Sequence, residues 1–257
     1  MDKNSRLSSQ AGDFNVIRIY REIYSIADLP YFELHVNIFL KDTGKRIVWK
    51  YMQFHEFKEQ LRNFVVFSLA DIRKLEPKFY RPRLSEWQDK GYLKNVRRGF
   101  YMFTDTPLNE ETLFLIANKL YAPSYVSFEM ALSYYGLIPE GVYAITSATS
   151  KKTATFQTPI GKFSYRTLKP QLFFGYNLLS IGQQHCKLAE IEKVILDYLY
   201  LNPQSTRTAD LQEWRFHSKE FLDKVDLHKF NRYMKAFHSR SLEKRAEEFI
   251  QFITHAP

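Results

Sequence analysis

The sequence predicts an α+β protein, with short helices closed by a hairpin toward the N-terminus, then a mixed α/β domain with a helical C-terminus. Three observations carry that reading. Between residues 53 and 104, apolar side chains recur at helical spacing and then give way to two strand-like runs around a glycine. Between Val142 and Tyr176 the pattern shifts toward period two, the spacing of half-buried strands. After Cys186 it returns to the helical period.

A chain of 257 residues makes one large domain or two of ordinary size. At 45% hydrophobic and 25% charged it has a globular rather than a disordered composition, and 22 Phe with 17 Tyr supply ample core material. The net charge of +9 favours a polyanionic partner, although net charge argues attraction and solubility, not fold. The lone cysteine, Cys186, excludes an internal disulfide and fits a reducing compartment. No run approaches the ~18 apolar residues of a membrane span, and no basic stretch leads into an apolar one at the N-terminus. The expectation is a cytoplasmic protein with no signal peptide and no membrane partner.

Residues 1–51 stand apart. The opening MDKNSRLSSQAGD is polar. Phe32 to Leu40 is apolar and aromatic, and Asp42-Thr43-Gly44-Lys45 looks like a turn before Arg46 to Met52, which allows a hairpin. Met52 opens a sequence that would be a natural domain start. Two readings stay open: a poorly integrated extension from an upstream start codon, or an N-terminal strand pair packed on the body.

Residues 52–104 are read as a winged helix-turn-helix. Phe54, Phe57, Leu61 and Phe64 mark a first amphipathic helix. Ser68 with Asp71 resembles a capping box at the head of a second, which ends before Pro77. Pro82 suits a first helical turn and Gly91 a helix stop, so a third helix runs from about Arg81 to Lys90, with Leu84 and Trp87 inward. Tyr92 to Val96 and Phe100 to Phe103 are strand-like, with Arg97-Arg98-Gly99 at the tip of the hairpin.

Thr104 to Leu108 reads as a linker into residues 105–257. Asn109 to Tyr121 is helical, and Ser127 is expected to cap a helix carrying Met130, Ala131 and Tyr134 that Gly136 stops. Strands are expected at Val142 to Ala148, Thr153 to Gln157, Lys162 to Leu168 and Gln171 to Tyr176. Helices follow at Ala189 to Leu201, Leu211 to Trp214, Phe221 to Leu222, Asp226 to Phe237 and Leu242 to Ile253.

The charge concentrates in the first module. From Lys78 to Arg98 there are seven basic residues against Glu86 and Asp89, a net +5 of the chain's +9. Neutralised phosphates supply most DNA affinity, and side chains reaching base edges supply sequence readout. On the third helix Arg81, Ser85 and Gln88 share one flank and are expected to read bases; Arg83 and Lys90 occupy the other. Lys78 and Arg83 are expected on phosphates, with Lys94 adding to the same basic face, and Arg97 and Arg98 at the minor groove or its phosphates. The flank that faces the groove is left open. A second basic segment, running from Lys219 to Arg245, reads as the solvated side of amphipathic helices, or as a face for an acidic protein or RNA.

Catalytic readings are weaker, and neither a catalytic residue nor a metal or other cofactor is expected. The seven histidines lack paired ligand spacing, one cysteine excludes a thiolate zinc knuckle, and no phosphate-binding glycine pattern is present. Cys186 is expected to be a buried structural thiol rather than half of a nucleophile pair with His185. Glu190, Glu192, Lys193 and Asp197 invite a nuclease reading, but Glu190 with Lys193 is more simply a surface ion pair on a helix.

The stretch Phe67 to Tyr101, followed by Tyr125-Val126-Ser127-Phe128-Glu129-Met130-Ala131-Leu132-Ser133-Tyr134-Tyr135-Gly136-Leu137, resembles the AbiEi antitoxins of bacterial abortive-infection, type IV toxin–antitoxin systems. Two further elements of that family are similar here: Gly161-Lys162-Phe163-Ser164-Tyr165-Arg166, and Ala189 to Asp197 with its Glu192-Lys193, where valine at 194 replaces the usual alanine. The resemblance covers about Gln53 to Leu201. It implies a winged helix that represses its own promoter and a C-terminal antitoxin domain. That domain would counter a nucleotidyltransferase-like toxin, without a stable complex between them. The alternatives are a winged-helix regulator with no toxin partner and, further off, a metal-dependent nuclease.

Overall fold

The computed structural model describes residues 37–39, 46–48, 52–139, 141–203 and 216–255. The chain divides into two compact units, residues 1–51 and 52–257. In the first, β1 (Asn37–Phe39) pairs antiparallel with β2 (Arg46–Val48), Ile38 opposite Ile47. The turn expected between them, and the helix expected at Leu211 to Trp214, lie outside the described residues.

The second unit is mixed α and β. Its first part runs α1 (Phe54–Leu61), β3 (Phe67–Ser68), α2 (Leu69–Leu75), α3 (Pro82–Asp89), β4 (Leu93–Arg97) and β5 (Phe100–Phe103), with the strands in the order β3-β5-β4. Ser68 heads α2 as expected. Its hydroxyl accepts from the Asp71 amide at 3.3 Å, and the Asp71 carboxylate accepts the Ser68 amide at 2.9 Å, closing a reciprocal box. Gly91 and Gly99 take φ of 72° and 85°, left-handed conformations that a stop after α3 and a tight hairpin tip both require. Phe57, Phe67, Phe79, Trp87 and Phe103 close a small aromatic core, the Phe57 and Trp87 rings 4.6 Å apart. Val66, Val96 and Met102 leave that core and join the larger one. The segment 52–104 is thus sewn into the rest of the unit.

The larger core surrounds a six-stranded sheet in the order β10-β11-β6-β7-β9-β8. Its elements are α4 (Glu110–Leu120), β6 (Ser124–Val126), α5 (Phe128–Tyr134), β7 (Ala144–Thr149), β8 (Ala154–Thr158), β9 (Gly161–Thr167), β10 (Tyr176–Ile181), β11 (Gln184–Ala189) and α6 (Ile191–Leu201). The helical C-terminus follows as α7 (Ser218–Lys224), α8 (Leu227–Ala236) and α9 (Arg240–His255). Strand alternation sorts the two faces. Tyr125 lies opposite Ala148 and reaches α6, whereas Tyr165 lies opposite Ser147 and its hydroxyl donates to the Ala117 carbonyl of α4 at 2.8 Å. So α4 covers one face, and α5 and α6 cover the other.

Three expectations are corrected. Gln171 to Tyr176 is not a strand: a 3₁₀ turn at Pro170–Leu172 leads into the hairpin β10–β11, whose Gly182-Gln183 tip went unread. Ser127 does not cap α5 with its side chain; its hydroxyl donates inward to Asp197 at 3.0 Å, and the next residue, Phe128, is fully buried at a left-handed φ of 59°. Glu190 and Lys193 form no surface pair. Lys193 and Asp197 are both 0% exposed and bonded to each other, and Lys193 also donates to the Tyr125 hydroxyl at 2.8 Å, which donates to Asp197 at 2.8 Å. Glu190 instead binds Lys229 at 3.1 Å and accepts from Tyr233 at 2.6 Å, tying α8 to the head of α6. Cys186 is buried, and burial pushes its thiol up to about 11, as suits a structural thiol.

Two predictions follow from these bonds. Asp197→Ala strands the buried Lys193 and is expected to cost about 3–5 kcal/mol, whereas Lys193→Met with Asp197→Leu costs less than that single change; urea unfolding reads both. For Asp71, burial raises the pKa, but the Ser68 bonds and the Lys119 charge outweigh it and hold the carboxyl below its usual value. A depressed carboxyl contributes stability that is complete above an unfolded-state pKa of about 3.9 and is lost as pH falls through the folded value. The stability gap between the native chain and Asp71→Asn is therefore expected to persist at neutral pH and to close in acid, as urea midpoints would show.

Candidate nucleic-acid interface

Helix α3 is set by what it buries. Leu84 and Trp87 point into the aromatic core, which fixes the rotation of the helix and hence which residues face out. Arg81, at the N-cap, and Ser85 are exposed, as is Lys78 in the approach to the helix. None of Lys78, Arg81 and Arg98 makes an ion pair among the described residues. Gln88, on the same flank, is half-buried, and its amide donates back to the Leu84 carbonyl at 2.9 Å.

The opposite flank is occupied. Arg83 binds Glu86 at 3.1 Å, donates to the Met52 carbonyl at 3.2 Å and lies 5.3 Å from the Trp87 ring centre. Lys90 binds the same Glu86 at 2.8 Å. Burial would raise the Glu86 pKa, but the Lys90 hydrogen bond and the charges of Arg83 and Lys90 hold it down, so the ladder stays ionised. Arg83 was expected on a phosphate. Its guanidinium instead braces the N-terminus of the module against α3.

The hairpin divides its arginines in the same way. Arg97 pairs with Phe100 as the last residue of β4, leaving Arg98-Gly99 as the turn. A register shift between Asn95 and Arg97 aims the Arg97 side chain at the larger core, where it donates to the Leu120 carbonyl at 3.1 Å and stacks 3.6 Å over the Phe156 ring. Arg98 remains exposed, and Lys94 is half-buried along β4. The structure thus leaves Lys78, Arg81, Ser85 and Arg98 exposed and withdraws Arg83 and Arg97. Tyr80 went unread: it is 50% exposed beside Arg81 and presents an amphipathic ring at the same edge. Its position between Lys78 and Arg81, ahead of a proline-started helix, was the available signal.

Lys193 and Asp197 have no solvent access. Among the described residues no group of three His, Cys, Asp or Glu side chains could hold a metal ion. An open cleft of about 630 Å³ between α4 and the β10–β11 hairpin is lined by Phe64, Asn118, Lys119, Ser124, His185 and Lys187, without a carboxylate among its lining residues. No described helix is long and apolar enough to cross a membrane. No family model matches the chain, and no curated protein matches it.

The two hairpin arginines should separate in experiment. Arg97→Ala removes a stacked, hydrogen-bonded cation and is expected to cost about 1–2 kcal/mol in thermal unfolding. Arg98→Ala should change stability by less than about 0.5 kcal/mol.

Proposed function

We propose that the protein is a DNA-binding transcriptional autorepressor and the antitoxin of a type IV toxin–antitoxin system. In this reading α1 to β5 act as a winged helix-turn-helix, with α3 as recognition helix and β4–β5 as wing. One observation carries the DNA half: the internal bonds of this module engage Arg83, Lys90 and Arg97 but leave Lys78, Arg81 and Arg98 exposed. It favours the flank of Arg81 and Ser85 as the one that meets the major groove, with Arg98 on phosphates or the minor groove and Lys94 beside it.

The antitoxin half rests on the AbiEi resemblance and on a convergence within it. Tyr125 and Ser127 come from one of the similar motifs, Lys193 and Asp197 from another, and all four share one hydrogen-bonded network. Motifs separated by 70 residues in sequence are thus coupled in space. The partner implied is a nucleotidyltransferase-like toxin, countered without a stable complex, and the chain acts in the cytoplasm on its own promoter, with no cofactor.

Fluorescence anisotropy with duplex DNA from upstream of the gene tests the first half. Arg81→Ala with Arg98→Ala is expected to weaken binding about 100-fold and to lower the slope of log affinity against log salt by about 2, whereas Arg83→Ala leaves the slope unchanged. An unaltered affinity in the double variant would place the DNA elsewhere. Co-expression with the nucleotidyltransferase-like product of the adjacent gene tests the second half: growth should be restored, and failure would leave a regulator without antitoxin activity.

A further inference from the structure

The cleft between α4 and the β10–β11 hairpin holds polar groups that the fold leaves without partners. β11 runs parallel to β6 and pairs with it at Leu188 opposite Val126. One residue earlier on β11, the Asn118 side chain stands in for a strand: it accepts from the Lys187 amide at 2.7 Å and donates to the Lys187 carbonyl at 3.4 Å. The cleft opens there, lined by Ser124 of β6 and by His185 and Lys187 of β11. Ser124 is only 3% exposed, yet its hydroxyl has no hydrogen-bond partner among the described residues. A buried hydroxyl left unpaired carries the full cost of its lost hydration. The half-buried Lys187 makes no ion pair among the described residues; its ammonium lies 5.0 and 5.5 Å from the ring centres of Tyr176 and Phe173. Lys119 is partly committed, 3.4 Å from Asp71 and 5.7 Å from the centre of the Phe64 ring, and an ammonium has three donors.

We propose that this cleft binds a mononucleotide, its phosphate met by the two lysines and the Ser124 hydroxyl. The class of ligand follows from charge, size and lining. The lining holds cations and neutral groups without a carboxylate, so the ligand is an anion. A hydroxyl and two ammonium groups call for several acceptor oxygens, which a phosphate group supplies on one centre. The cleft of about 630 Å³ is far larger than inorganic phosphate and falls in the range of small-molecule sites. The rest of its wall is apolar: Phe64, Leu115 and Pro123 line it, with Leu178 at 62% exposure. Such a wall suits a flat heterocycle better than a sugar phosphate, whose hydroxyls would find few partners there.

Isothermal titration calorimetry of the full chain tests this with the monophosphates of adenosine, guanosine, cytidine and uridine, with the four nucleosides and inorganic phosphate as controls. At least one mononucleotide is expected to bind with a Kd below about 1 mM, and its nucleoside and inorganic phosphate at least about tenfold more weakly. Ser124→Ala is the diagnostic change. It should weaken nucleotide binding about tenfold while leaving the melting temperature unchanged or raised, because it removes an unpaired buried group and no bond within the fold. Lys187→Gln should weaken binding in the same direction. Arg81→Ala with Arg98→Ala should leave nucleotide affinity within about twofold, which separates the cleft from the proposed DNA-binding residues. The proposal is overturned if no mononucleotide binds, if a nucleoside or inorganic phosphate binds as tightly as the mononucleotide, or if Ser124→Ala and Lys187→Gln bind as the native chain does. It is equally overturned if Ser124→Ala lowers the melting temperature, or if the Arg81 and Arg98 changes abolish binding.

Discussion

The larger core is organised around one buried ion pair. Lys193 and Asp197 sit one turn apart on α6 with no solvent access. Burial drives the Asp197 carboxyl up and the Lys193 ammonium down, and the pair persists because each offsets the other and because Tyr125 and Ser127 supply further hydrogen bonds to it. The rings of Tyr125, Phe174 and Phe237 stand about the ammonium at 5.4, 5.1 and 4.9 Å. The backbone yields to it as well: a side chain on Gly175 would meet Lys193 at 3.0 Å, at a φ of 69° that already favours glycine. A well-packed apolar pair of the same volume would hold α6 about as firmly. What the polar network adds is selection. β6, the loop into α5, and α6 must all be in place before every donor and acceptor is satisfied.

That network also marks where sequence reading fails. Lys193 and Asp197 have the i, i+4 spacing of an ordinary exposed ion pair, and only the apolar residues on nearly every side of α6 hint that it is buried. The distinction comes from Tyr125 and Ser127, about 70 residues earlier. Ser127 misled for the same reason: serine before an apolar helix is a capping signal, and here a tertiary acceptor outcompetes the helix amides for its hydroxyl. By contrast Ser68 with Asp71, Gly91 and Gly99 were legible, because caps, stops and tight turns are decided within a few residues. The β10–β11 hairpin was legible in principle. Gly182 at the first turn position between Tyr176–Ile181 and Gln184–Ala189 is a recognised hairpin signal, obscured by polar residues on both strands.

The basic window shows a related limit. Charge is additive along a sequence, but availability is not. Seven cations between Lys78 and Arg98 imply a broad electrostatic face. In the fold, Glu86 holds two of them, and Phe156 with the Leu120 carbonyl holds a third. The third could not have been read locally, since the register shift that turns Arg97 away from the tip depends on the pairing of β4 with β5. Of the three, Arg97 joins the N-terminal module to the larger core, while Arg83 and Lys90 are tied to Glu86 within α3.

A chain of contacts runs from the N-terminal module across the sheet to α8. The chain of contacts is continuous: Arg97 and Lys119 link the N-terminal module to α4, Tyr165 links α4 to the sheet, Tyr125 links the sheet to α6, and Glu190 and Glu192 link α6 to α8. Continuity is not allostery. A ligand shifts an equilibrium only if it contacts two arrangements differently, and these links are seen in a single arrangement. Such a body holds the N-terminal module on the α4 side of the sheet and α8 on the α6 side.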